Sequence, residues 1–158
     1  MPSLEFFRLK TREEVLALYN RFSSVGVEDL DLGDAGGRVV AKNIAAREDV
    51  PSFTRASMDG YAVRAGDTFG ATPGLPQYLA IRGSVPMGKA PQGVVGPGEA
   101  WRIATGGMLP SGGSAGLMVE YTKEMPDGTL EVRRPVAPGE NLMQTGEDVK
   151  AKDLLFSV

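Results

Sequence analysis

A chain of 158 residues is long enough for one ordinary domain or two small ones, and Cys 0 with His 0 excludes disulfides, thiolate nucleophiles, imidazole bases, His-dependent serine triads and zinc sites on nitrogen or sulfur. Chemistry here must run on carboxylates, hydroxyls, Lys, Arg, backbone amides and hard cations held by oxygen. A formal net charge of -3 supplies no broad basic surface, so no nucleic-acid partner is expected, while an anionic small molecule met through a cation is compatible.

The first residues, Met1 to Arg8, lack a basic start followed by a long apolar run, and no secretory leader is read there. Apolar runs such as Gly116-Leu117-Met118-Val119 fall far short of the roughly 20 residues a membrane span needs, so a soluble, cytoplasmic chain without membrane contact is expected. Gly 21 and Pro 11 beside 42% hydrophobic residues point to many short strands joined by tight turns.

In chain order, Thr11 and Glu14 predict a capping box at the start of a helix. Val15, Leu18, Tyr19 and Phe22 follow at helical spacing as one stripe, a core or dimer face, and Ser23, Ser24 and Gly26 end it. Val25 to Leu32 reads as a short strand, and Arg38 to Ala41 fits either helix or strand. From Val50 onward Pro and Gly recur between brief apolar segments, predicting strands at 61–63, 79–85, 100–104, 117–122 and 130–133. Pro126-Asp127-Gly128-Thr129 predicts a hairpin joining the last two. The expected class is α+β and β-rich, with a small barrel or sandwich.

Three segments set a polar group beside glycine. Asp59-Gly60 puts a carboxylate at a turn opening into an apolar strand, which is also an ordinary turn signal. Thr105-Gly106-Gly107 is either a nest of amides for an anion or a plain turn. Glu147 and Asp148, after Gly146, are either oxygen ligands for Mg²⁺ or solvated surface acids.

Ser57-Met58-Asp59-Gly60-Tyr61-Ala62-Val63, Arg102-Ile103-Ala104-Thr105-Gly106 with Leu109-Pro110, Met118-Val119-Glu120, and Pro138-Gly139-Glu140-Asn141 with Gly146-Glu147-Asp148-Val149 stand in an order that resembles the molybdopterin molybdenumtransferases, the MoeA-type and gephyrin E-domain family. The resemblance runs from the Thr11 helix to Leu155. It implies an enzyme that takes adenylylated molybdopterin and molybdate with Mg²⁺, releases AMP and yields molybdenum cofactor. It implies an elongated homodimer whose cleft lies between this region of one subunit and a molybdopterin-binding domain of the other. It also implies a first, dimerising domain of residues 1–46 plus 139–158, with a β-barrel-like domain of residues 47–138 inserted. By position, Asp59, Thr105 and Asp148 match catalytic cleft residues, Asp59 and Asp148 candidate Mg²⁺ ligands, and Ser57, Gly106 and Glu147 binding positions.

The chain departs from the family pattern in three places. Thr54-Arg55 stands where Asp-Asn is usual, Ser111-Gly112-Gly113-Ser114 where an acidic turn is usual, and Met143-Gln144-Thr145 where basic residues precede Gly-Glu-Asp. The last exchange removes bidentate guanidinium donors for phosphate. Two readings follow: the N-terminal part of a molybdenumtransferase, supplying half of a composite site and inactive by itself, or a non-catalytic dimerisation and binding module derived from that family.

Overall fold

The computed structural model describes residues 9–23 and 25–158, so the reading of Met1 to Arg8, and Ser24 at the predicted helix end, lie outside the described residues. The chain divides into two compact units, Met1–Lys42 with Val158, and Asn43–Ser157.

In the first unit the capping box forms as predicted: the Glu14 amide donates to Thr11 Oγ1 at 3.2 Å, and the Thr11 amide donates to Glu14 Oε2 at 2.9 Å. The helix it starts, α1 (Arg12–Ala17), is short and tightens into a 3-10 turn at Leu18–Arg21. Its apolar stripe forms no core: Tyr19 and Phe22 are 80% and 79% exposed, Val15 is exposed and Leu18 half-buried. A unit this small and glycine-rich offers no opposing surface. The strand expected at Val25 to Leu32 is absent for the same reason, since an isolated strand has no ladder to join. A 3-10 turn occupies Leu32–Asp34, and Arg38 to Ala41 is neither helix nor strand.

The second unit is strand-built. A short ladder pairs β1 (Ile44–Ala45) with β10 (Leu154–Phe156), and another pairs β2 (Arg55–Ala56) with β9 (Leu142–Met143). The remaining strands are β3 (Gly60–Val63), β4 (Gln77–Ser84), β5 (Glu99–Ile103), β6 (Ala115–Met118), β7 (Thr122–Glu124) and β8 (Thr129–Val132). They form one sheet in the order β6-β3-β5-β4-β8-β7, antiparallel except for the β4–β5 pair. The segment predicted at 117–122 is two strands separated by a 3-10 turn at Val119–Tyr121, so the predicted hairpin joins β7 to β8. Its turn closes through Gly128 N to Met125 O at 3.1 Å, with Gly128 at φ 84°.

Alternating residues of β3, β4, β6 and β8 bury Val63, Leu79, Leu117, Leu130 and Val132 on one face. The sheet curls into a half-barrel, because Glu124 at one edge reaches Tyr61 on β3 and Arg102 on β5. Opposite the main core, the Trp101 ring lies against Gly83 and Gly93, where an added Cβ would sit 2.7 and 2.1 Å from ring carbons.

Segment 139–143 hydrogen-bonds into the sheet unit: Gly139 N donates to Ser114 O, Gly116 N to Glu140 O and Ser57 N to Asn141 O. The contact boundary falls at Lys42/Asn43.

Candidate active site

The antiparallel register Gly60↔Ile103 and Tyr61↔Arg102 brings the residue before β3 and the turn after β5 to the same end of the sheet. The turn Ala104 to Gly107 closes with Gly107 N on Ala104 O at 2.8 Å and requires the positive φ of Gly106, 81°. Thr105 then donates twice to Asp59 Oδ1, from its amide at 2.8 Å and from its hydroxyl at 2.9 Å. These two bonds, the amide first, hold the exposed Asp59 carboxyl below its ordinary range. The anion that the Thr-Gly-Gly turn cradles is thus the protein's own Asp59. The Gly106 amide is also engaged, on Ala56 O at 2.8 Å. Asp59 Oδ2 has no hydrogen bond among the described residues, on an exposed and ionised side chain.

Asp59 lines a hollow of about 490 Å³ with Tyr61, Ser84, Arg102 and Val119. Arg102 is committed there: its Nε and Nη2 donate to the two Glu124 oxygens at 2.7 and 2.6 Å, and the Tyr61 hydroxyl donates to the same carboxylate. Arg102 first and Tyr61 second draw Glu124 down to about 2, while burial first and Glu124 second push Tyr61 up to about 12. Glu124 therefore contributes stability that is complete above its ordinary 4.5 and lost as pH falls through about 2. Tyr61 contributes stability present below its ordinary 10.0 and lost as pH rises through about 12. Ultraviolet titration is expected to show a phenol ionising near 12 that disappears in Tyr61→Phe. A wild-type titration without that step contradicts the network.

Sequence reasoning passed over this network. Tyr61 and Arg102 were reachable, lying two residues after Asp59 and three before Thr105, but Glu124 arrives from the far sheet edge and left no local signal.

The other predicted residues take different places. Ser57 is exposed and its amide donates to Asn141 O at 3.0 Å. Glu147 locks its own turn, with Oε2 accepting the Gln144 amide at 2.7 Å. Asp148 sits where Val50 bridges Val149, an isolated bridge outside the β2–β9 ladder, and its carboxylate is exposed. The structure brings Asp59 and Thr105 together; Asp148 shares neither their hydrogen bonds nor their hollow. Among the described residues no group of three or more carboxylates could hold a metal ion, so they build no complete Mg²⁺ cage, and Asp59 Oδ2 offers one oxygen. No helix among them is long and apolar enough to cross a membrane.

The family pattern described as MoeA N-terminal region (domain I and II) matches residues 9–158. The chain belongs to this family. The molybdopterin molybdenumtransferase 2 of Mycobacterium tuberculosis is 39% identical over 120 residues, 76% of this chain and 29% of the relative. The molybdopterin molybdenumtransferase of Staphylococcus aureus is 30% identical over 148 residues, 94% of this chain and 35% of the relative. The crystal structure of a molybdopterin biosynthesis MoeA protein from Pyrococcus horikoshii superposes with a TM-score of 0.86 at 38% identity, covering 92% of this chain and 38% of that one. The MoeA N-terminal region seen here thus spans about a third of the length of the relatives it matches.

Proposed function

We propose that this chain is the N-terminal part of a molybdopterin molybdenumtransferase, which inserts molybdate into adenylylated molybdopterin with release of AMP. The observation that carries the reading is Asp59, an ionised carboxylate fixed by the Thr105 amide and hydroxyl at the rim of a hollow, in a chain 39% identical over 120 residues to a protein of that name. A fixed carboxylate orients a cation or a water beside a phosphoanhydride without reorganising. Mg²⁺ carried by the substrate phosphates would take Asp59 Oδ2 as one ligand and supply charge neutralisation. Asp148 contributes through a surface on a molybdopterin-binding domain of the partner subunit.

In the full-length protein, Asp59→Asn is expected to slow AMP release by about 100-fold, or about 2.7 kcal/mol, with the melting temperature nearly unchanged. Asp148→Asn should slow it comparably. Full turnover by both variants removes the assignment, and the stretch 1–158 alone should insert no molybdenum.

The partner is proposed to be a second copy, because Tyr19 and Phe22 present an apolar face that the first unit leaves uncovered. Sedimentation of the full-length protein is expected to give a dimer that Tyr19→Glu with Phe22→Glu shifts to monomer. An unshifted dimer would reject this face.

A further inference from the structure

We propose that Arg55 is a phosphate-binding residue, its guanidinium supplied from β2 beside the turn that holds Asp59. The identity of the anion as a substrate phosphate rests on the functional reading above; the site itself rests on four observations. Arg55 is half-buried, and Nη2 donates to the thioether sulfur of Met143 at 3.1 Å, a weak acceptor for an always-charged group with five donors. No carboxylate lies within ion-pair distance of it among the described residues; Arg82, Arg102, Arg133 and Arg134 in the same unit are each paired, while Arg47 and Arg64 are not. A partly desolvated guanidinium without a counter-charge is complementary to an anion from outside.

The second observation is placement. Arg55 bridges Met108 on one side and pairs with Met143 on the other, so the cation is bracketed by two methionine positions. Its neighbour Ala56 accepts from Gly106 and donates to Gly107, which fixes Arg55 against the Thr105 turn. Third, the guanidinium in the Asp59 hollow, Arg102, is already bound on both its Nε and Nη2 by Glu124, so an anion brought there gains little from it.

The fourth observation joins two departures from the family pattern that look unrelated in sequence. Met143, the first of three positions where the resemblance implies basic residues, and Arg55, where it implies Asn, are cross-strand partners. A positive charge taken from β9 is returned from the facing strand, on the same side, since directly opposed residues share a face. Ser57, the residue after β2, is exposed.

The test is calorimetric titration of the full-length protein with pyrophosphate at low salt. Arg55→Gln is expected to weaken binding at least about tenfold, and Arg55→Lys less, because an ammonium keeps charge but loses the planar fork. Arg82→Gln, remote on β4 and paired with Glu99, should bind as wild type does. The decisive variant is the exchange Arg55→Met with Met143→Arg, which should recover most of the affinity lost in Arg55→Met alone. No saturable binding by wild type, unchanged binding by Arg55→Gln, equal weakening by Arg82→Gln, or failure of the exchange to rescue each overturns the proposal. AMP release measured on the same wild-type protein separates the two ideas. Arg55-dependent binding without AMP release keeps this site and rejects the transferase reading, and AMP release with Arg55-independent binding does the reverse.

Discussion

Gly60→Ala is expected to cost about 4 kcal/mol, roughly 10 °C in melting temperature for a chain of this size. An ideal Cβ at Gly60 would stand 2.0 Å from the Leu117 carbonyl oxygen and 3.0 Å from the Val119 amide nitrogen, and the glycine holds φ 156°. Both obstacles are backbone, of β6 and of the 3-10 turn that follows it, so no side-chain rotation relieves them. β3 must part from β6 or Gly60 must change conformation, and either movement carries Asp59 away, since the Asp59 carbonyl accepts the Val119 amide at 3.2 Å. The same substitution should therefore return the Asp59 carboxyl toward its ordinary range, readable by carboxyl NMR titration. Gly74→Ala, where an added Cβ meets nothing within 4 Å, provides the near-neutral comparison. Equal melting temperatures for the two variants would refute the close β3–β6 approach.

Leu117→Ala is expected to lose about 3 to 4 kcal/mol, measured by denaturant unfolding. Leu117 is fully buried opposite Tyr61 in register and belongs to the cluster with Val63, Leu130 and Val132. Truncation leaves a cavity that the flanking strands cannot close, because β3 is fixed on its other edge by β5. A loss below about 1 kcal/mol would place Leu117 outside the core.

What could be read from residue order follows from which interactions are local. The Thr11–Glu14 cap and the Met125-to-Thr129 turn depend on neighbours three or four residues apart, and both form where composition placed them. The strands centred on Tyr61, Leu79, Ala100 and Leu130 were legible because short apolar runs stood between Gly and Pro. Val119–Tyr121 was not, because a 3-10 turn built of Val, Glu and Tyr reads as strand until the sheet edge demands a corner. The apolar stripe of α1 was visible, but whether anything covers it depends on surfaces that periodicity does not encode. At the site, Asp59 and Thr105 were singled out separately; their direct bond required the β3–β5 register, and the turn proved to spend its Thr105 amide on Asp59. Asp148 was grouped with them by motif order, and its position beside the isolated Val50–Val149 bridge is a matter of pairing.

The pairing of β2 with β9 has a kinetic implication. Ala56 pairs in register with Leu142, and the Tyr61 hydroxyl finds its acceptor in Glu124, so early strands wait on late ones. During synthesis the segment bearing Ser57 and Asp59 emerges long before the residues that anchor it, and folding of this sheet is set by closing large loops, the slow class of topology. A nascent chain halted before Glu140 would display an unzipped edge, a natural target for chaperones that shield exposed strands.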